Sequence, residues 1–195
     1  MNQPELTRCY WCGTEQIYID YHDEEWGVPN FDDHSLFEFL VLEGAQAGLA
    51  WITVLRKRDS YQRSFDGFDA QKIARYGRQE INRLINDSGI IRNRLKIESA
   101  VTNARAFLKI KENHDSFADY IWRFVDGKPK QNRFQEPESV PASTEISKAM
   151  SRQLKKDGFR FVGPTICYAY MQATGMVNDH LVDCHRYSVC ARLGI

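Results

Sequence analysis

KKDGFRFVGPTICYAYMQATG, residues 155–175, is the stretch that decides the fold of this 195-residue chain. Gly158 is expected to end one helix, and Gly163, followed by Pro164, to begin the next. Glycine suits the residue after a helix and proline its first turn. The predicted product is a helix, a short hairpin and a second helix, whose free N–H groups suit a phosphate. The pattern alone fits an ordinary corner between two helices equally well.

Outward from this stretch, apolar residues recur at helical spacing and strand signals are nearly absent, which predicts an all-α fold. Ser35 and Glu38 offer a capping box for one helix, and Ser143 or Thr144 offers a cap for another. Residues 127–142 contain three prolines and little apolar content, so they are expected to form the one long connection. We predict a single domain over 1–195, made of two packed helical parts at about 1–126 and 143–195.

Composition narrows the class of protein. Lysine plus arginine equals aspartate plus glutamate at 26 each, so a protein that coats DNA is not indicated, whereas a small DNA footprint is allowed. Two local clusters of basic side chains occur: Arg92, Arg94 and Lys96, and Lys155, Lys156 and Arg160. Taken alone, either cluster fits a solvated helix face best.

Compartment follows from what the chain contains. No apolar run reaches membrane-spanning length, and the first residues lack the pattern of a signal peptide. The count of five cysteines is odd and argues against a secreted disulfide framework. We therefore expect a cytoplasmic protein with reduced thiols and no membrane partner.

Both ends of the chain contain the residue types that bind metal ions. VNDHLVDCHRY holds His180 and Cys184, which would lie one turn apart on one face of a helix. Near the other end, TRCYWCG and DYHDEEWG hold Cys9, Cys12 and His22. Thiolate and imidazole ligands suit zinc, and a set of four leaves no open position, so such a zinc would be structural. Spacing alone does not choose between Cys9 with Cys12 and Cys9 with His22.

Five segments carry a resemblance to a known family. In order they are YHDEEWGVP, LEGAQAGLAWITVLRKR, GIIRNRLKI, FVGPTICYAYMQATG and VNDH. Together they resemble the 3-methyladenine DNA glycosylase I family, within the helix-hairpin-helix glycosylases, from about Cys9 to Cys184. The resemblance implies the all-α fold of that superfamily and monofunctional excision of 3-methyladenine from alkylated double-stranded DNA, in base excision repair. No lysine stands where the bifunctional lyases keep their nucleophile, so strand cleavage is not expected.

The resemblance also implies roles for individual residues. The family's zinc ligands fall on Cys9, His22, His180 and Cys184, so one structural zinc would join the N- and C-terminal segments, with Cys12 a spectator. The base pocket falls on Trp11, Tyr21, Trp51 and the weaker candidate Tyr18, with Glu43 as the carboxylate on which activity depends most.

The chemistry of the lesion explains such a pocket. Methylation at N3 gives adenine a positive charge, which aromatic faces attract by about 0.5–2 kcal/mol each. A buried carboxylate such as Glu43 can accept a hydrogen bond from the exocyclic amine and complement that charge. Neutral adenine gains neither interaction and keeps a stronger glycosidic bond. The free base leaves as neutral 3-methyladenine, so little acid catalysis is required.

DNA contacts follow from base flipping, because the vacated gap must be filled. The resemblance places this task on the loop AQAGLAW, with Gln46, Gly48 and Leu49 nearest the gap. The hairpin, through Gly158, Gly163 and Thr165, would bind phosphates with help from nearby basic side chains. Asp183, beside a proposed zinc ligand, is a candidate to orient water or stabilise the sugar cation.

Two other functions compete with the glycosylase. A zinc-stabilised helix-hairpin-helix module would bind DNA without releasing a product. A hydrolytic zinc enzyme would require an open coordination position. The glycosylase, expected to act as a monomer, is preferred over the DNA-binding module because a carboxylate at Glu43 among apolar neighbours has no task in that module.

Overall fold

The computed structural model describes residues 6–193, and it confirms the all-α fold. The helices are α1 (Gln16–Asp20), α2 (Asp33–Gln46), α3 (Trp51–Leu55), α4 (Arg58–Ser64), α5 (Ala70–Ile73), α6 (Arg78–Ile85), α7 (Arg94–Asn113), α8 (Phe117–Trp122), α9 (Glu145–Lys156), α10 (Pro164–Ala173) and α11 (Tyr187–Leu193). One π turn (Tyr21–Glu25) follows α1 directly, and short 3-10 turns join several of the other elements. None of the helices within residues 6–193 combines the length and the apolar character needed to cross a membrane.

Helix α2 is the centre of the molecule. Every residue from Leu36 to Ala45 is buried, and helices α3, α7, α8 and α10 pack around it. A helix that is apolar on all sides belongs in the interior. The predicted capping box at its start is wrong, because Asp32 is the N-cap and accepts a hydrogen bond from Ser35 N at 2.8 Å. Glu38 instead accepts from Arg58 Nε at 2.7 Å.

The predicted hairpin is confirmed. Thr144 caps α9 by accepting from Ser147 N at 3.2 Å, so of the two candidate caps Thr144 is the one used. Helix α9 ends at Lys156, and Gly158 has a φ of +97°, a conformation that a glycine adopts at little cost. Gly163 is the N-cap of α10, with Pro164 at its first position. We refer to residues 157–163 as the hairpin.

The long connection is not featureless. It forms strand β1 (Lys130–Gln131), which pairs in parallel with strand β2 (Val177–Asn178). This ladder lies near the C-terminal end of α10, so the connection is tied to the segment that follows the hairpin. Helix α10 also packs on α2, across the expected boundary between the two helical parts. The division of one domain into those two parts stays a prediction.

The shorter helices between α2 and α7 are separated by turns. Arg56 and Lys57 separate α3 from α4. Helix α5 stops at Ile73, Gly77 is the N-cap of α6, and α6 ends at Ile85.

Candidate functional site

A π turn places Tyr21 and Trp26, which both line a pocket, on one side of the chain. In an α-helix, residues five positions apart point in different directions. Trp26 N donates to Tyr21 O at 2.9 Å, so the turn holds one more residue than an α-helical turn. Tyr21, His22 and Trp26 are all buried. Tyr21 lines a pocket and His22 faces a cluster of metal-ligand side chains. Single π turns of this kind occur often at functional sites.

Four buried side chains could hold a metal ion: Cys9, His22, His180 and Cys184. Their ligand atoms all lie within 4.8 Å of one another. Cys184 Sγ is 3.5 Å from both His22 Nε2 and His180 Nδ1, and Cys9 Sγ is 3.6 Å from His180 Nδ1. Ligand bonds of about 2.0–2.3 Å at tetrahedral angles place neighbouring ligand atoms about 3.3–3.8 Å apart. The observed sulfur–nitrogen separations match that geometry.

Both imidazole rings are oriented by their second nitrogen. His22 Nδ1 lies 2.7 Å from Asp23 Oδ1, and His180 Nε2 lies 3.0 Å from the carbonyl oxygen of Trp26. These acceptors place the proton on His22 Nδ1 and His180 Nε2, so that His22 Nε2 and His180 Nδ1 can face a metal. Cys9 N also donates to His22 Nε2, at 3.2 Å. Arg8 Nη2 donates to Asp23 Oδ2 at 2.7 Å. Burial alone would raise the pKa of Asp23, but hydrogen bonds from Arg8 and His22 lower it overall.

The thiol chemistry fits a metal ligand. A hydrogen bond with Cys9 is the largest cause that lowers the pKa of Cys184, and the two imidazoles add to it. A lowered pKa favours the thiolate, which is the form that binds metals. Cys12 is also buried but lies outside the cluster, with its Sγ 3.6 Å from Gly13 O. The choice that spacing left open therefore falls on Cys9 with His22.

The expected helical placement of His180 and Cys184 is wrong. Both lie in the turns between β2 and α11, where Cys184 N donates to Leu181 O at 2.9 Å. This turn brings the Cys184 thiol within 3.5 Å of the His180 imidazole, as one turn of helix would have done. Gly27 makes room for the ring, because a Cβ there would lie 3.0 Å from His180 Nε2.

Beside the cluster lies a pocket of about 330 Å³. The aromatic residues predicted for base binding line it: Trp11, Tyr18, Tyr21 and Trp51. Their rings contact one another, with centroids 5.1 Å apart for Trp11 and Tyr18 and 5.3 Å apart for Tyr21 and Trp51. A volume of about 300 Å³ or more is the usual size of a small-molecule site. The pocket thus suits a flat ring with aromatic walls.

Glu43, from the middle of α2, lines the pocket and is only 3% exposed. Burial raises the pKa of its carboxyl group to about 8. Among residues 6–193, nothing forms a hydrogen bond with Glu43 Oε2 or with Trp51 Nε1. An acceptor and a donor, both buried and unpaired, are costly unless a ligand pairs with them.

The residues predicted to contact DNA lie on or directly beside two loops. The loop of residues 47–50 between α2 and α3 contains Gly48 and the 40%-exposed Leu49, and Gln46 just before it lines the pocket. We refer to residues 47–50, which are expected to fill the gap left by a flipped base, as the gap-filling loop. In the hairpin, the N–H groups of Phe161, Val162 and Gly163 form no hydrogen bond with any described residue. Thr165, in the first turn of α10, lines the pocket.

Several residues that line the pocket were not predicted from the sequence. The connection contributes a wall through Pro137, Val140, Pro141 and Ala142, for which the sequence held no signal. Asp179, buried, also lines the pocket and accepts hydrogen bonds from Tyr168, Gln172 and Asn132 at 2.6–2.8 Å. Asp183, the candidate for orienting water, is exposed and lies outside the pocket lining, so its position does not support that role. Asp179 lies in VNDH, one of the segments that carry the family resemblance.

Comparison with known proteins gives one consistent result. A family model described as methyladenine glycosylase matches residues 11–187. A Haemophilus influenzae protein named DNA-3-methyladenine glycosylase is 53% identical over 178 residues, covering 91% of this chain and 96% of that protein. A crystal structure of 3-methyladenine DNA glycosylase I has a TM-score of 0.90 and 49% identity, covering 92% of this chain and 98% of the other. A variant of such an enzyme, in complex with 3-methyladenine, has a TM-score of 0.89 and 34% identity over 91% and 96% of the chains.

Proposed function

Because the chain belongs to the methyladenine glycosylase family, we propose that it excises 3-methyladenine from alkylated double-stranded DNA, in base excision repair. The observation that carries this proposal is Glu43, a buried carboxyl group with an unpaired oxygen inside an aromatic pocket. The reaction breaks the bond between C1′ and N9, and the bonding electrons leave with the base. Water then adds its oxygen to C1′ and releases a proton, which leaves an abasic site and neutral 3-methyladenine.

Selectivity follows from the charge of the lesion. In the free protein Glu43 is mostly protonated at neutral pH, since burial raises its pKa to about 8. A cationic base beside the carboxyl group favours the ionised form, which then accepts a hydrogen bond from the exocyclic amine. Neutral adenine supplies no charge to stabilise that carboxylate. The aromatic walls reinforce the preference, because their ring faces attract cations.

The two loops divide the task of holding DNA. Leu49, exposed on the gap-filling loop, is positioned to occupy the space that a flipped base leaves. The hairpin offers consecutive free N–H groups at the start of α10, where the helix dipole also favours an anion. Gly158 and Gly163 of the hairpin, with Thr165 in the first turn of α10, are the residues proposed to contact the phosphates. This small footprint agrees with a chain that carries no excess of basic residues.

The metal site has the ligands of a structural zinc: Cys9, His22, His180 and Cys184. Two thiolates and two imidazoles complete a tetrahedral zinc and leave no open position, so the ion would supply structure and no Lewis-acid chemistry. Cys9 precedes Tyr10 and Trp11, which line the pocket, while Leu181 lines it from the other end of the chain. Zinc would therefore hold that pocket wall. This ligand set does not favour a hydrolytic zinc enzyme.

The test is the release of free bases. Methylated duplex DNA is incubated with the parent protein, with Glu43→Gln and with Glu112→Gln, an exposed control near the end of α7. We expect the parent and the control to release 3-methyladenine, and Glu43→Gln to release it more slowly by about 10²-fold, the usual effect of losing one electrostatic contact. Chromatography of the supernatant measures the product.

Two outcomes would contradict the proposal. Tight DNA binding by the parent without any released base would favour the non-catalytic DNA-binding module. Excision at the parental rate by Glu43→Gln would refute the role of Glu43. The expected cytoplasmic location and monomeric state stay predictions.

A further inference from the structure

Helix α7 contributes no residue to the pocket, yet it reaches the gap-filling loop. Lys96 Nζ donates to Ala45 O at 2.8 Å and to Ala47 O at 2.6 Å. Both carbonyl groups belong to the C-terminal end of α2, where a helix leaves its last carbonyls unpaired and a cation is favourable. Lys96 thus fixes the place where α2 stops and the loop begins. Its ammonium group is occupied by the protein, which corrects the view of Lys96 as part of a solvated basic face.

The same helix holds the hairpin. Asn103 is 2% exposed, and its amide makes two hydrogen bonds with one backbone residue. Asn103 Nδ2 donates to Arg160 O at 3.0 Å, and Arg160 N donates to Asn103 Oδ1 at 2.8 Å. The next residue, Phe161, has a φ of +56°, which is uncommon outside glycine and persists only with support from its surroundings. Asn103 provides part of that support.

Lys96 and Asn103 are seven residues apart on one continuous helix, and hence lie on the same face. Seven residues of α-helix span about 10.5 Å. We propose that α7 acts as a ruler that sets the distance between the gap-filling loop and the hairpin, with Lys96 and Asn103 as its two positioning residues. The proposal rests on the proposed function, because it assigns the two loops to DNA.

A fixed distance matters because the two loops must engage one lesion site at once. The hairpin holds the backbone while Leu49 enters the gap, so a change in their separation would weaken the simultaneous binding of both loops to one duplex. The hairpin also lies against α2, since a Cβ on Gly44 would be 3.4 Å from Phe161 Cβ. The ruler therefore connects both DNA loops to the helix that carries Glu43.

The experiment measures DNA affinity and base affinity separately. The variants are Lys96→Met and Asn103→Ala, with Asn103→Asp as the conservative partner that keeps the acceptor for Arg160 N. The matched controls are Lys109→Met, an exposed lysine of the same helix, and Asn30→Ala, an asparagine that bonds to Asp32 N at 3.0 Å in a different loop. Each protein is assayed for KM and kcat on methylated duplex DNA, and for Kd with free 3-methyladenine by tryptophan fluorescence.

We expect Lys96→Met and Asn103→Ala each to raise KM by about tenfold or more, with kcat at saturating DNA changed by less than about twofold. The Kd for the free base should equal that of the parent, because the pocket is untouched. Asn103→Asp should fall between the parent and Asn103→Ala. Since either single change already breaks the fixed spacing, the double variant should raise KM by less than the product of the single effects.

Several results would overturn the ruler. They are a parental KM in both variants, a matching loss of free-base affinity, or a double variant whose effect equals the product. If Asn103→Ala does not fold, Lys96→Met still decides, because Lys96 is partly exposed and its ammonium group donates to the carbonyls of Ala45 and Ala47. A parent that releases no base would refute the proposed function itself, whereas an active parent with unaffected variants refutes only the ruler.

Discussion

At the scale of single residues, Glu43 affects both the stability of the folded protein and its recognition of the cationic base. Its carboxyl group is buried, without a hydrogen-bond partner for one oxygen among the described residues, and its pKa is raised to about 8 by that burial. A buried polar group of this kind destabilises the folded state and is retained where a ligand uses it. The same residue should therefore limit stability at alkaline pH and enable recognition of the cationic base.

The first prediction concerns the pH dependence of stability. The folded protein keeps the Glu43 proton up to a pKa of about 8, whereas the unfolded chain releases it near the ordinary value of 4.5. Between these two values the folded state binds more protons, so the free energy of unfolding should fall as pH rises, by up to about 1.4 kcal/mol per pH unit. Glu43→Gln lacks this titration, so its free energy of unfolding should increase relative to that of the parent as pH rises between these two pKa values.

Urea unfolding of both proteins at pH 5 and pH 8 measures the difference. The advantage of Glu43→Gln should be small at pH 5 and larger at pH 8. A constant difference between the two proteins would show that Glu43 is ionised throughout and that its burial has no such effect.

At the scale of elements, the π turn and the hairpin place the reactive groups. The π turn inserts one residue between Tyr21 and Trp26, which places these two pocket residues on one side of the turn, while the adjacent His22 belongs to the metal-ligand cluster. The hairpin depends on glycine and proline at its borders, a local signal, and on Asn103 from a distant helix, a tertiary one.

The second prediction removes the extra residue. Deletion of Glu24, which is exposed, should convert the π turn to an α-helical turn and rotate the residues before it by about 100° relative to Trp26. Tyr21 and His22 would leave their positions, so bound zinc and affinity for 3-methyladenine should both be lost. Glu24→Ala keeps the chain length and should retain both. Zinc analysis and fluorescence titration give the answer, and a deletion variant with full zinc content would refute this account of the turn.

At the scale of the whole molecule, the candidate metal site joins the two ends of the chain. Its paired ligands are far apart in sequence, 171 residues for Cys9 with His180 and 162 residues for His22 with Cys184. A crosslink that closes a loop of this size contributes roughly 4–5 kcal/mol by restricting the unfolded chain. That value is a large fraction of the stability of an ordinary domain.

The third prediction is that removing the metal destabilises the protein and does not simply inactivate it. Treatment with a strong chelator, or Cys9→Ser, should lower the free energy of unfolding by several kcal/mol and weaken binding of 3-methyladenine, because Cys9 anchors the segment that carries Trp11. Cys12→Ser is the matched control, since Cys12 is buried nearby but lies outside the cluster. Zinc loss in Cys12→Ser, with zinc retained in Cys9→Ser, would reverse the ligand assignment.

The sequence predicted the elements better than it predicted their contacts. The helices around α2, the hairpin with Gly158 and Gly163, and the cap at Thr144 follow from signals within a few residues, and the structure contains them. The capping box at Ser35 and the helix through His180 were wrong. In both cases a nearby side chain or turn satisfied the same backbone groups in another way.

What the sequence by itself determined is the set of helices and, through its family resemblance, the residues around which the pocket and the metal site form. Only the tertiary structure decided that the connection walls the pocket, that Asp179 and not Asp183 lines it, and that Lys96 and Asn103 hold the two loops. The physical reason is the separation along the sequence between the residues that interact. Helix caps, glycine and proline act on neighbours along the chain, whereas these contacts join residues about 50 positions apart and exist only after the helices have packed.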